Sequence, residues 1–185
     1  MTFGFITIYI ENKIEIQQFL EANMNKNWSN TALVAYSLLP KIVRELNSGV
    51  KTRVNSTFQS RHLKIGVSTE QLIGEILELT EQKRKMVNLR FIVSEALNSI
   101  SAEDRRMLEA RMIYKKTFQK ITEESGLSLR SVFRKLANAE LAFERALNRA
   151  GYGEEWLQKE YGNDKFIAPI HERIMTDKYF VAKNL

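Results

Sequence analysis

The chain has no cysteine, only two prolines and only eight glycines among its 185 residues. Without thiols it can build no disulfide framework, no thiolate zinc site and no cysteine nucleophile, and it fits a reducing compartment. The shortage of proline and glycine removes the strongest helix breakers. Long apolar runs are also missing. The longest, Phe3 to Ile10, is too short to span a bilayer and carries neither a basic leader nor a small-residue cleavage site. These absences lead us to expect a cytoplasmic protein with no membrane partner.

What is present favours helix. Apolar residues make up 44% of the chain and aromatic residues 10%, enough for a folded core. Leu, Glu, Lys, Arg, Ala and Ile predominate, so the expected fold class is all-α. A formal charge of +6 is modest, but it is unevenly spread. Residues 41–64 hold Lys41, Arg44, Lys51, Arg53, Arg61 and Lys64 against Glu45 alone. Residues 65–80 hold Glu70, Glu75 and Glu78 and no base. From Arg111 to Lys135 there are seven basic residues and two acidic ones. Two basic blocks parted by an acidic one suit a polyanion, or else form solvated helix faces.

Residues 1–10 read as a short strand or as the apolar lead-in to Ile14–Ala22, and the Asn-rich stretch Asn23–Asn30 as a loop around an isolated Trp28. Asn30 or Thr31 can cap a helix through Leu33, Tyr36, Leu39, Val43 and Leu46, which Pro40 should kink or restart. Asn47-Ser48-Gly49 looks like its stop, leaving residues 50–66 as a basic helix or a linker. Ser68 followed by Gln71 forms a capping-box pattern. Beyond it, Leu72, Ile76, Leu79, Met86, Val93, Leu97 and Ile100 make an apolar seam on a helix of roughly 30 residues. That seam either packs on residues 33–46 or meets a partner, such as a second copy. Because it continues through Leu97 to Ile100, it should join the helical module 31–100 rigidly to the domain beginning at Ser101.

The informative stretch is Ser101 to Leu147. Ser101 with Asp104 caps a helix burying Leu108 and Met112. Thr117 opens a second helix with Phe118 and Ile121. Gly126 supplies a sharp turn, Leu127 tucks beneath it, and Ser128 caps a third helix. There Val132, Leu136, Ala139 and Phe143 form one buried stripe, which leaves Leu129, Arg130, Ser131, Phe133, Arg134 and Lys135 off it. The start of such a helix enters the major groove in helix-turn-helix proteins. Leu129, Arg130, Ser131, Arg134 and Lys135 are therefore the candidate base-reading residues, since guanidinium groups can grip guanine O6 and N7 together. Lys115, Lys116, Thr117, Lys120 and Ser128 are the candidate phosphate contacts that fix register.

Ile121, Gly126-Leu127-Ser128, Val132, Leu136 and Ala139 resemble, at every interval, the C-terminal helix-turn-helix of bacterial sigma factors. The likeness covers Leu97 to Leu147, with Thr122 where a small Ala is usual and Leu129 where a polar residue is common. It implies a tri-helical DNA-binding domain at 101–150 that reads the upstream promoter element, with double-stranded DNA and RNA polymerase as partners and a place in the nucleoid. Residues 1–96 lack the aromatic-rich basic helices with which full sigma factors melt promoters. A sigma-like regulator is thus favoured narrowly over a divergent sigma factor. A helical protein-interaction adaptor and an accessory DNA-binding protein in recombination are the alternatives.

Nothing suggests an enzyme. His62 and His171 lack metal-ligand spacing, so no metal and no cofactor is expected. His171, Arg173 and Tyr179 share residue types with tyrosine recombinases, but at the wrong spacing. No phosphate loop or nucleophile elbow occurs. After Gly151-Tyr152-Gly153, a short helix from Glu154 to Glu160 should stop at Gly162-Asn163-Asp164, and the last twenty residues should form a tail or packing arm.

Overall fold

The computed structural model describes residues 28–60 and 68–176, with side chains at 56–60 and at 69 left aside. The strand or lead-in expected at 1–10, the basic residues Arg61 and Lys64, His62 and Tyr179 all lie outside the described residues. Every element described is helical, and none of these helices is long and apolar enough to cross a membrane.

Two long helices form the frame. α1 runs Trp28–Ser60 and α2 runs Thr69–Ser99. Arg53 pairs with Glu75 at 2.6 Å, and Leu79 packs beneath Gly49, so the two lie antiparallel. Their shared core is Leu33, Leu39, Leu46, Met86, Leu89 and Val93, all buried. The seam read from the sequence therefore packs on α1: Leu72, Met86, Val93 and Leu97 are buried, and Leu79 and Ile100 press against the core.

The expected stop at Asn47-Ser48-Gly49 is not one. α1 continues through it, and through Pro40. A glycine in a helix interior costs about 1 kcal/mol, less than the burial of Leu46 and Leu79 on either side returns. Trp28 is not in a loop either. It opens the described part of α1, and its backbone N–H donates to both carboxylate oxygens of Glu154, at 2.9 and 2.8 Å. That carboxylate is a partner for a backbone N–H in the first described turn of α1, supplied by a residue 126 positions away.

α2 starts as its sequence indicates, with Ser68 Oγ accepting from Gln71 N at 3.1 Å. It does not run on into the next helix. Ile100 turns extended (ψ 171°), and Ser101 begins anew. The reason is local: Ser101 Oγ accepts from Asp104 N and donates to its carboxylate, contacts that compete with helix continuation.

α3 (Ala102–Leu108) widens into a π-helical turn at Glu109–Ile113; α4 (Phe118–Ser125) and α5 (Leu129–Arg149) come next. α6 (Glu154–Tyr161) and α7 (Ala168–Thr176) complete the chain described. The part of the tail that is described is thus a packed helix. Tyr161 is fully buried and donates to the Lys85 carbonyl of α2 at 3.2 Å, while His171 of α7 bonds Thr31 of α1 at 2.9 Å. One apolar cluster runs from Trp28 to Ile167 and includes side chains of all six helices α1 to α6.

Candidate nucleic-acid interface

The segment from Ser101 to Arg149 is punctuated by side-chain caps. Thr117 Oγ1 accepts from Lys120 N at 3.1 Å and starts α4. Gly126 ends it in the left-handed region, φ 66°, where a Cβ would cost energy but meet no neighbour. Two residues on, Ser128 Oγ accepts from Ser131 N at 3.2 Å and starts α5. A cap, a left-handed glycine and a second cap thus turn the chain between α4 and α5. α3, the π turn, α4 and α5 pack through Leu108, Met112, Ile121, Val132, Leu136, Ala139 and Phe143, as their spacing requires.

Of the expected base-reading residues, Arg130 and Arg134 are exposed, one turn apart at the start of α5. Ser131 and Leu129 are half-buried. Ser131 is held in the cap by Ser128, and Leu129 leans on the core. Lys135 is half-buried and paired with Glu103 of α3. Among the expected phosphate contacts, Lys115 and Lys120 are exposed, and Thr117 and Ser128 serve as caps. Lys116 is paired along α4 with Glu124 at 2.6 Å. Among the described residues, Lys115, Lys120, Arg130 and Arg134 make no ion pair, so the turn presents four uncompensated cations.

Phe133 corrects the sequence reading. It is buried, not off the stripe, and packs tilted on Phe118 with ring centroids 4.5 Å apart. A globular helix buries a wider arc than one line of residues, and Phe118 of α4 is there to cover it. Arg111 was missed as a structural residue. It is 5% exposed, its guanidinium lies 4.3 Å from the Phe118 ring centre, and Nη1 donates to the Lys116 carbonyl at 3.1 Å. Burial lowers its pKa from the usual arginine value. Arg111 thereby holds the loop in which Lys115 takes a left-handed φ of 52°. No 3.6-residue pattern could find it, because the π turn shifts the register there.

Glu140 was also missed. It faces inward from α5, 5% exposed, with Asn30 of α1 as a hydrogen-bond partner and Oε1 unpaired. Burial pushes its pKa up to about 7, against the smaller lowering effect of Asn30. It couples the turn unit to α1 through a titratable group, and it is flanked in sequence by Ala139 and Leu141, which gave no sign of a buried charge.

His171 stacks on Trp28 and bonds Thr31, a structural setting. Among the described residues no three His, Cys, Asp or Glu side chains gather as a metal site would need. No family model, curated protein or solved structure matches this chain.

Proposed function

We propose that this chain binds double-stranded DNA by laying the start of α5 in the major groove, and that it acts in transcription as a sigma-like regulator or divergent sigma factor. One observation carries the reading: the Gly126 turn and Ser128 cap present Arg130 and Arg134 one turn apart, exposed and without ion pairs among the described residues, at the N-terminal end of a helix whose opposite side is buried. That end also carries the helix's positive dipole, which suits the phosphate backbone. Lys115 and Lys120 lie just before the turn, where backbone contacts set register. Arg130 and Arg134 read base edges; Lys115 and Lys120 hold phosphates. Lys116 and Lys135 join them once their pairs with Glu124 and Glu103 open. Leu129 offers an apolar contact to a thymine methyl group. RNA polymerase is the protein partner that the sigma resemblance implies.

The test is selection of bound sequences from random duplex DNA, followed by fluorescence anisotropy across a salt series. A true DNA binder shows a recurrent motif and a steep fall of affinity with salt from counterion release. A flat salt dependence with no enriched sequence would overturn the proposal. Co-purification of RNA polymerase then separates the transcriptional role from an accessory role in recombination.

A further inference from the structure

Two adjacent side chains at the end of the π turn have no partner inside the chain. Tyr114 is 66% exposed, more than any other large apolar or aromatic side chain described, and Lys115 beside it is exposed too. Among the described residues neither side chain makes a hydrogen bond, an ion pair or a ring contact. The backbone beneath them is fixed. Tyr114 N–H donates to the Glu109 carbonyl at 2.8 Å, and Lys116 N–H to the Ala110 carbonyl at 2.9 Å. This closure puts Lys115 in the left-handed position, φ 52°, where glycine is the usual occupant. α4 ends with the same need and meets it with Gly126. A lysine at 115 is strained instead, and no contact of its side chain within the chain offsets that strain. Strain of this kind collects at binding sites. Arg111 also ties the loop to α5. Its Nη1 donates to the Lys116 carbonyl at 3.1 Å, and its guanidinium lies 4.3 Å from the Phe118 ring centre. Phe118 in turn packs 4.5 Å from Phe133, the chain neighbour of Arg134.

We propose that Tyr114 and Lys115 form a second contact on the duplex, gripping the sugar–phosphate backbone beside the groove that α5 enters. The inference rests on the DNA-binding reading above and deepens it by adding Tyr114. The chemistry of the pair suits a phosphodiester. The Lys115 ammonium is a compact point charge for a phosphate oxygen. The Tyr114 phenol donates a hydrogen bond to such an oxygen, while its ring covers the apolar side of the deoxyribose. Lys120, Arg130 and Arg134 belong to the same turn unit and are also exposed without ion pairs among the described residues, and a polyanion is the partner that this pattern fits. The backbone is chemically alike at every base pair. The loop therefore positions the protein while α5 reads the sequence. Because the loop is already held in place, little ordering is lost when it binds.

Two variants of the full chain separate the side chains from the backbone. Tyr114→Phe removes only the hydroxyl. Lys115→Asn removes the charge, and asparagine still accepts the left-handed conformation. Both should keep the far-UV circular dichroism of the parent, since neither group has a partner inside the chain. Anisotropy is then measured on the selected duplex and on a random one. Tyr114→Phe should weaken binding to both roughly two- to tenfold, as loss of one hydrogen bond does. Lys115→Asn should weaken both and lower the salt slope by about one unit. A methylphosphonate scan of the selected duplex locates the contact: one neutralised phosphate outside the selected bases should weaken the parent and leave Lys115→Asn unaffected. If the parent binds no duplex, the DNA-binding reading and this contact fall together. If the parent binds and either variant matches it on both duplexes, the contact alone is overturned. A loss confined to the selected duplex, or a scan in which no phosphate shows that pattern, would overturn it as well.

Discussion

The indole of Trp28 lies flat on the imidazole of His171, with ring centroids 3.9 Å apart and planes 8° from parallel. The stack ties the start of α1 to α7, and the Thr31 hydroxyl meets His171 Nδ1 at 2.9 Å. Burial lowers the His171 pKa, against weaker opposing effects of Glu154 and Glu172. The folded protein thus binds this proton less readily than the unfolded chain. Its contribution to stability is complete above the ordinary histidine pKa near 6.5 and is lost as pH falls below that value. In a Trp156→Phe background, Trp28 fluorescence should report imidazolium formation only below about pH 6.5. His171→Ala should abolish that transition and lower the melting temperature; an unchanged titration would show that the stack does not hold in solution.

Glu140 has the opposite sign. Its folded-state pKa of about 7 lies above the ordinary glutamate value of 4.5, so the folded protein holds the proton more tightly. Its contribution to stability is complete below about pH 4.5 and is lost as pH rises toward 7. A tenfold change in proton affinity is worth about 1.4 kcal/mol, so at pH 8 the ionised, buried carboxylate costs up to about 3 kcal/mol. Glu140→Gln should therefore stabilise the protein at pH 8 and match the parent at pH 4.5. Denaturant midpoints at the two pH values check both signs.

Two left-handed residues frame α4, and they should respond differently to substitution. Gly126 has φ 66° with open space around its Cβ position, so Gly126→Asn should be nearly neutral and Gly126→Val should cost about 1–2 kcal/mol through backbone strain. Lys115 carries the same strain at φ 52°. Lys115→Gly should stabilise by about 0.5–1 kcal/mol. It should also weaken binding to every DNA sequence alike. Thermal unfolding together with anisotropy separates the two effects; loss of stability in Lys115→Gly would contradict the geometry.

The ion pairs around the turn predict a gain of binding. Glu124 neutralises Lys116 at 2.6 Å, so Glu124→Gln should tighten DNA binding on all sequences and steepen the salt slope by about one unit. Arg134→Ala should cost about 1–3 kcal/mol on the selected sequence and relax preference at one position. Equal losses for Arg134→Ala on selected and random DNA would reassign that arginine to the phosphates.

The sequence by itself determined whatever is decided within one helical turn. Ser68, Ser101, Thr117 and Ser128 each accept from a backbone N–H three residues ahead, and Gly126 takes a left-handed conformation that glycine adopts without strain. These contacts depend on neighbours in the chain, so the caps, the turn and the stripe Val132, Leu136, Ala139 and Phe143 were all legible. Tertiary structure decided the rest. Gly49 stays helical because Leu79 packs under it; Trp28 joins a helix because Glu154, 126 residues away, receives its N–H. Phe133 is buried because Phe118 covers it, and Lys116 and Lys135 are paired because α4 and α3 bring carboxylates to them. Arg111 and Glu140 are buried for the same reason: their surroundings come from other elements, and no local pattern encodes a partner that only the folded chain supplies.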